Sequence, residues 1–408
     1  MNHSALRAGA ARVWLLTWVT YASYYFGRKG FSISKKTLVT ELSFTEATLG
    51  AIDSGYLALY AIGQFVHGVL GDRLGARRLL GWGLIGTAGC CALFSVSSSA
   101  VAMILIFALN GLFQATGWPG TTRAMAEWTT ARNRGTVMAF WSTCYQLGGI
   151  FANTLCGFLL VHFGWRSAFA VPALILLLLG GLVLLLLPET ARTEAAATTD
   201  RAQGWQVLVA AAQREVLRSR VLWSYGGCYF FIKFVRYALV FWLPYYLSTT
   251  LAYRADTAAY VSNAFEVGGA LGVIALGMAS DRLPRWSRSA FSALSLLGLA
   301  LALFVYTRLA GMGLWFNAFG LAAIGALLFG PDALLSGAAA QDAGGPHAAA
   351  AATGLVNGIG SVGALLVGLA VPAISRHWGW HALFPLLVVA ALAAFAALTP
   401  ALLSRQKA

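Results

Sequence analysis

The sequence is poor in charge and poorer in acid. Only 10% of its 408 residues are Asp, Glu, Lys or Arg, and just 14 are acidic. A soluble domain carries about 25% charged residues, so an ordinary water-soluble globule is excluded. Cysteine is scarce as well. Cys90, Cys91, Cys144, Cys156 and Cys228 all sit in apolar segments without metal-ligand spacing, which makes packing their expected role. His3, His67, His162, His347, His377 and His381 form no ligand cluster. No glycine-rich loop precedes a Lys-Ser/Thr pair, which argues against an ATP-driven pump. Nothing in the chain points to catalysis, a cofactor or a metal.

Apolar residues are abundant. They make up 59% of the chain, with a mean hydropathy of +0.72. They fall in runs of the length needed to cross about 30 Å of hydrocarbon as helix. The Leu/Ala-rich runs lack the alternation of a membrane β-barrel. The expected fold is therefore all-α, with twelve transmembrane helices near 12–34, 46–70, 79–98, 100–127, 135–162, 166–187, 220–248, 257–279, 288–308, 312–338, 347–375 and 380–403. The first run ends in tyrosines and Arg-Lys, not at a small-residue cleavage site, so it reads as a retained helix and not a signal peptide. A polar interval, 188–219, separates a six-helix half at 1–187 from a second at 220–408. Within it, Trp205 to Leu217 is a candidate surface helix.

The net charge of +14 follows topology. With the N-terminus inside, 18 Lys and Arg fall in cytoplasmic intervals. Six fall outside, namely Lys35, Lys36, Arg166, Arg254, Arg308 and Arg376. That bias places both termini in the cytoplasm and makes a nucleic-acid partner unnecessary. The lipid bilayer is the expected partner.

Four cations remain, Arg28, Lys29, Lys233 and Arg236, all within apolar surroundings. An arginine at a bilayer centre costs roughly 2.5–3.5 kcal/mol on insertion scales, so its retention points to use. The use that fits is holding a small anion between helices. Arg28 has an alternative: a straight helix from Arg12 carries it past the midplane, where it would snorkel to the interface. Lys233 lies at i−3 from Arg236 and shares its face. Lys29 points about 100° away from Arg28, toward solvent, substrate or Asp53. Tyr21, Tyr24 and Arg28 follow i, i+3, i+7, with Tyr25 beside them.

The halves repeat. Gly68-Val-Leu-Gly-Asp72-Arg73-Leu-Gly75-Ala-Arg77-Arg78 returns as Gly277-Met-Ala-Ser-Asp281-Arg282, with the aspartates 209 residues apart. Arg28 and Arg236 are 208 apart, and the glycines of His162-Phe-Gly164-Trp165 and His377-Trp-Gly379-Trp380 are 215 apart. Such repeats imply two pseudo-symmetric six-helix bundles with a substrate site where they meet.

The motif at 68–78 resembles the signature loop of the major facilitator superfamily. Finer matches resemble its organophosphate:inorganic phosphate antiporters, the glycerol-3-phosphate and sugar-phosphate transporters. These are Tyr-x-x-Tyr-Tyr-x-x-Arg-Lys at 21–29, Gly117-Trp118-Pro119, Trp141 with Gly148-Gly149, Arg236-Tyr237, Glu266-Val-Gly-Gly and Gly330-Pro331. The resemblance implies a secondary transporter, monomeric and resident in the bacterial inner membrane, that exchanges an organic phosphate for inorganic phosphate by alternating access. It implies that Arg28 and Arg236 hold the phosphate and that Tyr21 and Tyr25 line the cavity.

The chain also departs from that pattern. Gln64 stands where the group commonly has lysine, and Tyr145 where many members have histidine. Lys233 is a candidate for the missing charge. Asn357 and Ser361, one turn apart, are candidates to line the second half. Asp332 adds an acid after Gly330-Pro331, and with Glu266 it is either a coupling site, a partner for the arginines or a structural charge. Asp72, Arg73, Arg77 and Asp281 are expected to form a cytoplasmic latch. Two guanidinium forks match phosphate oxygens, and an empty site is expected to hold two repelling cations. The alternatives are a proton-coupled symporter of a carboxylate or other organic anion, and a sugar-phosphate sensor.

Overall fold

The computed structural model describes residues 3–126, 140–141, 143–188, 216–283 and 287–404, and within them it is helical without strands. Helices α1 (His3–Ser23), α2 (Phe26–Leu42), α3 (Glu46–Val96), α4 (Ala100–Gln114), α5 (Gly117–Ala126), α6 (Cys144–Phe163) and α7 (Ser167–Leu186) fill the first half. Helices α8 (Arg220–Thr250), α9 (Ala255–Arg282), α10 (Arg288–Leu309), α11 (Leu314–Ser336), α12 (Ala338–Trp378) and α13 (Leu383–Leu403) fill the second. Among the described residues, ten segments are long and apolar enough to cross a membrane. Large side chains such as Leu178, Leu185, Leu301 and Leu403 stand exposed on their outer faces, as lipid contact requires.

The repeats have a backbone reason. Gly75 has φ 77° and divides α3 into two spans, a conformation that side-chain-bearing residues rarely adopt. Gly164 (φ 80°) and Gly379 (φ 77°) close α6 and α12, each returning its N–H to the helix, to Leu160 at 3.1 Å and Ser375 at 2.9 Å. Arg166 then reaches the end of α3, donating to the carbonyls of Ser95 (2.7 Å) and Ser97 (3.2 Å).

The helices group into two compact units, Met1–Arg192 with Leu243–Asn263, and Thr193–Trp242 with Ala264–Ala408. In the first, the end of α8 and the start of α9 pack on α2, α3 and α6. Lys36 Nζ donates to the Ser248 carbonyl, Tyr245 donates to Glu46 at 3.1 Å, and Asn153 donates to Asn263 at 3.0 Å. Lys35, assigned to an outer loop by the charge count, is fully buried and pairs with Asp53 at 2.5 Å. Lys29 therefore does not take Asp53, as one reading of the sequence had it.

In the second unit, α9 and α11 approach at backbone distance. A Cβ on Gly268 would stand 1.9 Å from the Ala322 carbonyl oxygen, and one on Gly272 2.0 Å from that of Ala326. Gly360 and Gly363 of α12 likewise face Tyr229 and Phe230 of α8. Gly354 and Gly358 of the same helix meet nothing within 4 Å.

Candidate functional site

Two clusters carry the unexplained cations, one in each unit. The first is built on a break. The segment expected as one helix at 12–34 is two, α1 and α2, interrupted at Tyr24 and Tyr25 and reaching Leu42. Arg28 consequently stands in the first turn of α2, about 21 Å of helix before that end.

Polar side chains from neighbouring helices hold the break. Asn110 donates to the Gly27 carbonyl at 2.7 Å, Gln114 donates to Asn110 at 3.2 Å, and Tyr56 donates to Gln114 at 2.9 Å. Tyr24 turns away from the Arg28 face. It is buried and shares a 2.7 Å hydrogen bond with Thr116, which lies at the break between α4 and α5. Gly148 admits the break against α6, since a Cβ there would stand 2.7 Å from the Ala22 carbonyl oxygen.

The rest of the first cluster is aromatic. The Arg28 guanidinium lies 3.8 Å from the Tyr25 ring centre, a cation–π contact. The Tyr21 ring meets Tyr145 at 4.9 Å and Trp141 at 5.1 Å, with Trp118 at 6.4 Å. Trp141 is fully buried and donates to Thr17 at 3.1 Å. Tyr145 thus completes an aromatic wall. Lys29 is buried, 4% exposed, on α2, which packs on α6, while Gln64 is half-buried on α3, one turn after Tyr60.

The second cluster joins α8, α11 and α12. Arg236 binds Asp332 at 2.9 Å, and its guanidinium lies 4.7 Å from the Phe329 ring centre. Lys233 donates to Ser361 Oγ at 3.2 Å and approaches the Asn357 carbonyl at 3.5 Å. The Asn357 amide turns back to the Thr353 carbonyl at 3.0 Å, so its backbone, not its side chain, meets the lysine. Glu266 is buried on α9, 4% exposed.

The Arg236–Asp332 pair corrects one expectation. An empty site does not hold two bare cations, because Asp332 neutralises Arg236 within its own unit. Sequence reasoning missed Tyr229, Phe329 and the Tyr56–Gln114–Asn110 chain. The signal for the last was present: Asn110 and Gln114 stand one turn apart in an otherwise apolar span. Arg77 is half-buried, whereas the side chains of Asp72, Arg73 and Asp281 lie outside the described residues.

The model of the Major Facilitator Superfamily matches residues 17–368. The chain belongs to the major facilitator superfamily. Its fold is accordingly the family's twelve-helix transporter fold, and it is a multi-pass membrane transporter, not an enzyme. It is 30% identical to a probable hexose phosphate transport protein of Chlamydia trachomatis over 95% of this chain and 90% of that one. It is 32% identical to putative glycerol-3-phosphate transporter 2 of Arabidopsis thaliana (98% and 87%). It is 28% identical to the membrane sensor protein UhpC of Salmonella typhimurium (92% and 87%). Among solved structures, a bacterial homologue of the human lysosomal transporter Spinster superposes with a TM-score of 0.72 at 15% identity, covering 95% of this chain and 94% of that one. The organophosphate antiporters thus remain the group that this superfamily member resembles.

Proposed function

We propose that this major facilitator carries an organic phosphate ester and exchanges it for inorganic phosphate by alternating access. Two six-helix halves, 1–187 and 220–408, would move about the linker 188–219, with both termini on the cytoplasmic side of the bacterial inner membrane and the monomer as the working unit. The observation that carries the reading is the pair Arg28 and Arg236, partly buried guanidiniums beside Tyr25 and Phe329 on apolar helices. A guanidinium offers phosphate a planar fork and keeps its charge at any working pH. Phosphate esters also figure in the names of the hexose phosphate and glycerol-3-phosphate relatives.

In this reading Arg28 and Arg236 are the phosphate ligands. Lys233 supplies the charge that Gln64 lacks, and Tyr21, Tyr25 and Tyr145 form an aromatic wall for the organic part. Lys29, Gln64 and Asn357 have supporting roles. Asp72, Arg73, Arg77 and Asp281 form the latch.

A first test needs only purified protein. Glucose 6-phosphate or glycerol 3-phosphate should raise its melting temperature, whereas glucose and glycerol should not. Saturation at 100 times the dissociation constant stabilises by about 2.7 kcal/mol. Equal responses to ester and parent alcohol would contradict the reading. The UhpC relative gives a sensor reading its place: binding without flux in proteoliposomes would favour it.

A further inference from the structure

Asp332 is an unusual acid for an anion carrier. It lies within an apolar helix, directly after Gly330-Pro331, and is 7% exposed. Its Oδ2 accepts from Arg236 at 2.9 Å. Its Oδ1 is buried and has no hydrogen-bond partner among the described residues. A buried carboxylate oxygen without a donor is costly, and an intramembrane acid in that condition marks a functional position more often than a structural one.

The carboxylate and an incoming phosphate want the same guanidinium. In the empty carrier Arg236 belongs to Asp332. A phosphate anion that takes the fork leaves the carboxylate without its hydrogen-bonded cation, with only the more distant charge of Lys233, and beside a like charge. Both changes favour the neutral acid. The neutral acid also has something to do. An ionised carboxylate can only accept, whereas the protonated form has one O–H to donate. Oδ1, vacant in the ion pair, is the atom that can carry this proton and direct it at a phosphate oxygen.

The other charged and titratable groups of the unit are distributed as follows. On α8 they are Arg220, Tyr225, Cys228, Tyr229, Lys233, Arg236 and Tyr237. Tyr229 interacts with Asp332, Arg236 and Ser336, and Lys233 is tied to Ser361. On α9 they are Glu266 and, at the end of the helix, Asp281 and Arg282. On α12, Asp342 is held by Arg288 of α10 at 3.0 Å. The membrane-buried stretch of α10 from Ser289 to Val305 and the whole of α13 carry no acid or base. Asp332 therefore shares the phosphate-binding arginine at hydrogen-bond distance.

We propose that Asp332 binds one proton when a phosphate anion takes Arg236, so that this carrier moves its anion together with a proton. The inference rests on the phosphate-ester reading above. The balance is simple: one proton passes from water to Oδ1, Arg236 exchanges a carboxylate for a phosphate, and no covalent bond to either partner forms. Release of the anion returns the proton on the same side.

The test is proton uptake on binding by the full-length purified protein, in weak buffer at pH 7, with glucose 6-phosphate as the probe. A phosphate ester with a second pKa of about 6 is mostly dianionic there, so binding it as the dianion would release at most ~0.1 proton. The expected result has the opposite sign, an uptake approaching one proton per ester bound. In the wild type, the infrared difference spectrum should gain the C=O stretch of a protonated carboxylic acid, a readout that needs no variant. Asp332→Asn should bind the ester more tightly, because no carboxylate competes for Arg236, and should take up no proton. Wild-type binding without uptake overturns the coupling and leaves the carrier reading standing. Undiminished uptake in Asp332→Asn overturns it as well. No binding of any ester overturns the carrier reading, and this inference falls with it.

Discussion

Arg28→Lys and Arg236→Lys each lower phosphate exchange by about 10–100-fold while the protein stays folded. Lysine keeps the charge but not the fork. It supplies a point charge on a flexible stem where arginine presents two parallel N–H donors to one phosphate. A lost hydrogen bond to a charged group is worth roughly 1.5–3 kcal/mol, which is the stated range in rate. The two positions differ in one respect. Arg28 lies over the Tyr25 ring, a contact that a lysine ammonium can partly keep. Arg236 has Asp332 as well as Phe329 for neighbours, so its lysine variant also changes the competition for the anion. The measurement is initial-rate exchange of labelled phosphate in proteoliposomes, read beside the melting temperature. Wild-type rates in both variants would remove the arginines from the site.

Removing Arg236 altogether is the second large effect, and it falls on stability. Arg236→Met leaves the Asp332 carboxylate buried with neither oxygen paired, and breaking a buried pair in this way costs about 3–5 kcal/mol. Asp332→Leu in the same chain restores most of that loss, since replacing both partners by apolar groups is often neutral or better. The melting temperature should therefore fall in Arg236→Met and recover in Arg236→Met/Asp332→Leu. Neither chain should exchange phosphate. Lys233 lies one turn from Arg236 and interacts with Asp332, so the fall should deepen when Lys233→Met is added to Arg236→Met. An Arg236→Met chain as stable as the wild type would mean that Asp332 does not depend on Arg236.

Much of this was legible in the sequence. Apolar length marked the spans, ten of which the described residues carry, and three repeats at nearly constant offset pointed to two halves. Gly75, Gly164 and Gly379 then proved to be positive-φ positions, so a helix-ending conformation underlies part of the repeat. The arginines stood out because charge in hydrocarbon is expensive.

What escaped was long-range or lacked a local signal. The break at Tyr24 and Tyr25 is held by Asn110 and Gln114, more than 80 residues away, and no proline marks it. Periodicity therefore read through it and aligned Tyr24 with Arg28. The count of outer charges assigned Lys35 to a loop because the first helix was drawn eight residues too short; the helix continues to Leu42 and buries it on Asp53. The partnership of Arg236 with Asp332 spans 96 residues. Sequence spacing left it as one of three roles for the acid, and only the packing of α8 with α11 selects it.

The measurement that tests the account most directly is counterflow in proteoliposomes loaded with unlabelled inorganic phosphate and supplied with labelled phosphate outside. The account predicts saturable uptake that requires internal phosphate, competed by glucose 6-phosphate or glycerol 3-phosphate but not by the free sugar or glycerol, and lowered about 10–100-fold in Arg28→Lys and Arg236→Lys. Correctly inserted, folded protein that shows no phosphate-dependent uptake, or uptake indifferent to every ester, would contradict it.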